Sequence, residues 1–194
     1  MRIRLTYIVI IVGVVAVAAI GGYLTLQTPP QPAPLQRQQE VIADKFTAVS
    51  PPLPAPAIMF TRPDGKKTTI ADFHGRWLLV NLWATWCGPC MREMPSLARM
   101  NDAMKSELNV IAISEDRKGA AAVDPFKTTL GLKTLAIGLD PAGNVAGALH
   151  VDGLPSTFLI DPQSRIVARL DGPADWDSPR TVAALNELMG KPAR

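Results

Sequence analysis

Apolar residues in this chain gather into runs, and the spacing within each run indicates an element. The longest run is residues 5–26, twenty-two positions almost wholly apolar and without a charge. A helix of that length rises about 33 Å, enough to cross a bilayer core of about 30 Å. Arg2 and Arg4 precede it, so the positive-inside rule holds that end in the cytoplasm and sends the remainder outside. Ala16-Val17-Ala18 would suit the cleavage site of a removable leader. Apolar sequence continues past it through Ile20, Tyr23, Leu24 and Leu26, so an uncleaved anchor is the expectation. Either outcome puts the remainder in a compartment where disulfides form.

The later runs are shorter and alternate in type. Ile58-Met59-Phe60 and Lys67-Thr68-Thr69-Ile70 flank a Pro63-Asp64-Gly65 turn and predict a hairpin. Residues 77–83 are apolar except for Asn81 and predict a buried strand. Met94, Leu97, Ala98 and Met104 then recur at helical spacing, with Pro95 expected to kink that helix. Residues 109–113 form a second buried strand, so the helix between the two implies a parallel crossover. A helix over residues 119–131 interrupted by Pro125, a strand over 135–137 and a short helix over 144–149 follow. Residues 155–160 and 165–170 predict a second hairpin. Ser178 and Pro179 read as N-cap and first residue of a last helix that ends at Gly190.

Composition adds a boundary. Eight of the eighteen prolines fall in residues 27–56, which predicts a semi-rigid tether with a short helix over residues 37–49. The expected division is an anchor over 1–26, a linker over 27–56 and a folded domain over 57–194. A net charge of +3, with both signs spread and no basic run, argues against nucleic-acid binding.

The chemistry lies in the two cysteines, Cys87 and Cys90, which close the apolar strand and open the helix as Cys87-Gly88-Pro89-Cys90. The first N–H groups of a helix lack intrahelical partners and its dipole favours negative charge there. A thiolate on Cys87 would be stabilised, and the thiolate is the reactive form. Pro89 suits the first turn, where its missing N–H costs nothing. The arrangement suits thiol–disulfide exchange, with Cys87 attacking a target disulfide and Cys90 resolving the mixed disulfide. The rivals are weaker. A structural zinc site needs four ligands, and here there is one cysteine pair. His74 and His150, the only histidines, have neither helical nor turn spacing to that pair, which disfavours copper delivery. A purely structural disulfide would not explain the strand–Cys–helix placement.

This order resembles thioredoxin. Val80-Asn81-Leu82-Trp83-Ala84-Thr85-Trp86-Cys87-Gly88-Pro89-Cys90 with Glu93 and Pro95, and later Gly153-Leu154-Pro155-Ser156-Thr157-Phe158-Leu159-Ile160-Asp161, are similar to the TlpA-like and ResA-like branch of membrane-anchored thiol:disulfide oxidoreductases. Gly172-Pro173-Ala174-Asp175-Trp176 looks TlpA-like in particular. The resemblance implies an α/β thioredoxin fold with an N-terminal β-hairpin, a central insertion between Ser114 and His150, and one preceding transmembrane helix. It implies that Pro155 is a cis-proline facing the cysteines, and that Trp86, Leu154 and Pro155 form the surface where a partner docks. It makes Glu93 an acidic residue that influences the pair, whereas spacing alone leaves a solvated helix-face carboxylate open. Asn81 departs from thioredoxin, which has a buried Asp there. Asn does not ionise at neutral pH, so proton transfer to Cys90 uses Glu93 or water, or proceeds without a relay. No metal or cofactor beyond the Cys87–Cys90 disulfide is implied. The implied role is a periplasmic reductant, re-reduced by a membrane thiol donor, acting on apocytochrome c or on copper-delivery and oxidase proteins.

Overall fold

A strand with both faces covered is apolar at nearly every position, and residues 77–83 meet that demand at all but Asn81. The structure is a computed structural model and describes residues 46–62 and 64–191. Their elements run β1 (Thr47–Pro54), β2 (Met59–Thr61), β3 (Lys67–Thr69), a 3-10 turn (Ile70–Phe73), β4 (Trp77–Trp83), α1 (Gly88–Met104) and β5 (Leu108–Ser114). They continue as α2 (Ala120–Thr129), β6 (Ala136–Leu139), α3 (Asn144–Ala148), β7 (Ser156–Ile160), β8 (Arg165–Asp171) and α4 (Pro179–Leu188). The strands form one sheet in the order β1-β8-β7-β4-β5-β6-β2-β3. β4, β5 and β6 run parallel, and the other pairings are antiparallel. This is the thioredoxin-like mixed sheet.

Alternation along β4 assigns its side chains to two cores. Leu79 and Trp83 pack with Met94, Leu97 and Met100 of α1 and with Leu185 of α4. Leu78, Val80 and Leu82 pack on the other face with Phe60, Ile70, Val145 and Leu149. Asn81 shares parity with Leu79 and Trp83, so it is aimed at α1. The expected helix is present and continues through Pro95, although that proline cannot bond the Met91 carbonyl. Pro125 likewise lies inside α2 rather than ending it. Ser178 caps α4 as expected, its hydroxyl accepting the Thr181 N–H at 3.2 Å. The hairpin of β2 and β3 forms in register Met59 to Thr69 and joins the sheet beside β6.

One boundary is corrected. The linker was expected to reach residue 56, yet β1 occupies most of its last third and pairs with β8, Thr47 opposite Arg169 and Pro54 opposite Arg165. Phe46 is buried and meets Trp176 edge-on, ring centroids 6.3 Å apart. The folded part therefore includes Phe46, and residues 46–49 are not helical. Pro51, Pro52 and Pro54 argue against a strand by rule, but an edge strand tolerates residues without an N–H donor. The expected membrane span and the first part of the linker lie outside the described residues.

Replacing Phe46 by Ala removes a buried ring from this junction. The expected loss is about 3 kcal/mol, read from urea denaturation of the two chains. A loss within experimental error would show that β1 is not part of the stable domain.

Candidate active site

Cys87 is the N-cap of α1. Its backbone is extended, and its sulfur accepts the Cys90 N–H at 3.3 Å. The sulfur thus satisfies one of the donors that a helix start leaves open. The two cysteines are joined as a disulfide. They are unequal in exposure, because Cys90 is 0% exposed and Cys87 is 6% exposed. Trp86, next to Cys87, is 70% exposed. Both sulfurs belong to the core, and the exposed Trp86 marks the surface nearest to Cys87.

The approach to the pair is pinned from β5. Asp116 is buried and accepts the Thr85 N–H at 2.9 Å, the Thr85 hydroxyl at 2.7 Å and the Ser114 hydroxyl at 2.8 Å. The Glu115 N–H donates to the Trp83 carbonyl at 2.9 Å. These bonds hold the strand-to-helix crossing in place. In the loop before β7 the Leu154–Pro155 bond is cis, as the resemblance implied. Pro155 is buried, and Leu154 packs half-buried against the core that holds both cysteines.

Glu93 is not a solvated helix-face carboxylate. It is 3% exposed. One oxygen accepts Asn81 Nδ2 at 2.9 Å, and the other accepts the Ala174 N–H at 2.8 Å and Trp176 Nε1 at 3.1 Å. Asn81 Nδ2 also donates to Thr157 Oγ1 at 3.0 Å, across the β4–β7 register. The Asn that replaces thioredoxin's Asp is therefore the donor that orients the acid of the next element. Glu93 also lines a cavity of about 300 Å³ with Pro89, Arg92 and Pro173, one helical turn from Cys90.

Two features escaped the sequence reading. Trp176 entered only through its motif, and nothing in the spacing tied it to Glu93. Glu115 lies just past the strand expected over residues 109–113, and nothing in the sequence singles it out. It is half-buried, and one carboxylate oxygen has no hydrogen-bond partner among the described residues. Burial, with the Asp140 carboxylate adding to it, pushes its acid up to about 8. The histidines stay apart from this chemistry: His74 Nδ1 meets the Ala71 carbonyl, and the His150 carbonyl accepts from Arg169.

Two outcomes are expected. Glu93→Gln places an amide N–H against one of three converging donors. Stability should fall by about 1–3 kcal/mol, measured by denaturant titration, and an unchanged midpoint would remove Glu93 from the framework. Glu115 binds its proton more tightly folded than unfolded, so the folded state keeps a proton that the unfolded chain releases. Its contribution is complete below pH 4.5 and is lost as pH rises through about 8. Thermal midpoints of the native chain should fall over that range more steeply than those of Glu115→Gln. Partial exposure limits the gap to a few degrees, about 1 kcal/mol in a domain of this size. Parallel curves would show the acid to be ordinary.

The geometry matches known proteins. The AhpC/TSA family model matches residues 52–169. The thiol-disulfide oxidoreductase ResA of Bacillus anthracis is 33% identical over 119 residues, covering 61% of this chain and 68% of that relative. ResA of Bacillus subtilis (strain 168) is 31% identical over 119 residues, 61% of this chain and 65% of that relative. Among solved structures, a thiol-disulfide oxidoreductase from Bacteroides fragilis aligns with a TM-score of 0.59 at 26% identity, covering 70% of this chain and 98% of that one. A protein from Chlorobium tepidum described as thiol:disulfide interchange protein DsbE aligns with a TM-score of 0.65 over 72% of this chain and 97% of that one. At 24% identity, that second match concerns the fold. With a Cys87–Cys90 pair closing the central strand, the chain belongs to the AhpC/TSA family and is a ResA-like thiol:disulfide oxidoreductase.

Proposed function

We propose that this oxidoreductase works as a reductant of disulfides in partner proteins during cytochrome c maturation or the assembly of oxidase copper sites. In this reading residues 5–26 anchor the chain in the inner membrane, with residues 46–191 in the periplasm. The carrying observation is the placement of the pair: Cys87, the N-cap of α1, keeps 6% of its surface exposed beside the protruding Trp86, and Cys90 keeps none. The Cys87 thiolate attacks the partner disulfide, one partner thiolate leaves, and a mixed disulfide forms. The Cys90 thiolate then attacks the Cys87 sulfur and the second partner thiolate leaves. The partner gains two electrons and the Cys87–Cys90 disulfide is restored, so each cycle needs a dithiol donor. A membrane thiol donor fills that place.

Three things support the reading. The Gly88-Pro89 dipeptide is that of reducing thioredoxins. Relatives bear the names ResA and DsbE. The uncharged run with Arg2 and Arg4 before it supports the anchor.

The test is the equilibrium potential of the Cys87–Cys90 pair against a dithiothreitol or glutathione buffer. A value near about −270 mV is expected, and one near about −120 mV would make the protein a disulfide donor instead. Cys90→Ala should accumulate a mixed disulfide with its partner on non-reducing gels, and Cys87→Ala should not. Normal turnover by Cys90→Ala would overturn the role of the second cysteine.

A further inference from the structure

Beside Trp86 a groove of about 580 Å³ opens between the crossing that carries Cys87 and the helix α2 of the central insertion. Pro125 and Phe126 of α2 give it an apolar wall, and Arg117 and Lys118 stand at its rim. Both rim residues are exposed, and neither has an ion-pair partner among the described residues. The carboxylates nearby do not answer them. Asp116 is buried under three hydrogen bonds from Thr85 and Ser114. Asp124 of α2 is paired with Lys127. Glu115, which lines the groove, keeps its proton at neutral pH because burial and Asp140 raise its acid to about 8. On the other flank of the pair Arg92 adds a further cation, its guanidinium lying beside Gly88.

Charge and position together identify the occupant. A disulfide that reaches Cys87 passes Trp86, the most exposed large apolar side chain among the described residues. The chain beside that disulfide must then lie in the groove or leave it empty. We propose that the groove reads the flank of the partner's reactive cysteine, seating one apolar side chain on Trp86 and Phe126 and one carboxylate against Arg117 and Lys118. The insertion thereby selects disulfides set in an acidic and apolar context. This deepens the reductant reading and rests on it.

The probes are two synthetic peptides, each closed by one internal disulfide and carrying a Leu beside the first cysteine. One has two Asp next to that Leu and the other two Lys. Hydroxyethyl disulfide, which is small and uncharged, serves as reference. The reduced full-length chain is mixed with each, and second-order rates are followed at low and high salt. The Asp peptide should react about tenfold faster than the Lys peptide at low salt, with the gap closing at about 1 M salt, where the screening length is about 3 Å. The double variant Arg117→Glu with Lys118→Glu should invert the preference and leave the reference rate unchanged. Equal rates for the peptides in the native chain, or a preference that survives the double variant, would overturn the groove assignment. Failure to reduce hydroxyethyl disulfide and both peptides would instead overturn the reductant reading beneath it.

Discussion

A single buried carboxylate ties the site to the fold. Placing an unpaired carboxylate in a core costs several kcal/mol, and hydrogen-bonded donors must offset that cost. Glu93 finds three on two segments: Asn81 on β4, and the Ala174 amide and Trp176 indole on the loop after β8. Its position on α1 is thereby locked to the sheet beneath and to the loop beside it. Trp176 in turn packs on Phe46, at the start of β1. The active-site helix and the sheet edge are therefore joined through one acid and two rings.

The same network shows how much could be read beforehand. The strand, the Cys-bearing helix and its buried Met94, Leu97 and Met104 follow from spacing, because periods of two and 3.6 leave a pattern in the sequence. Glu93 could have been placed by the same logic: Cys90, Glu93, Met94 and Leu97 fall at i, i+3, i+4 and i+7, one face of a helix. Its being charged outweighed its position. The aim of Asn81 was not legible, since a strand buried on both faces carries no alternation to orient it. Pro-rich β1 escaped because local rules for proline argue against a strand, and its pairing with β8 is set more than a hundred residues later. Glu115 was beyond reach, as its protonation depends on Asp140, brought close only by the folded sheet.

Polar atoms without partners cluster around this chemistry. Among the described residues the buried Asn81 Oδ1, Trp83 Nε1 and Glu115 Oε1 lack hydrogen bonds. Each such atom typically costs about 1–3 kcal/mol. Two of the three lie on β4, the strand that delivers Cys87, and the third follows β5 beside it. On the opposite face of β4, Leu78, Val80 and Leu82 pack with Phe158.

The prolines of β1 bear on how molecules of this protein can meet. A sheet edge with free amides is a template for strands of other chains, and confinement to a membrane surface would raise that hazard. Pro51, Pro52 and Pro54 strip donors from one edge, and the opposite edge is β3, only three residues long. Neither margin offers a long ladder to an incoming strand. The margins of the sheet therefore give neighbouring copies little backbone with which to extend it.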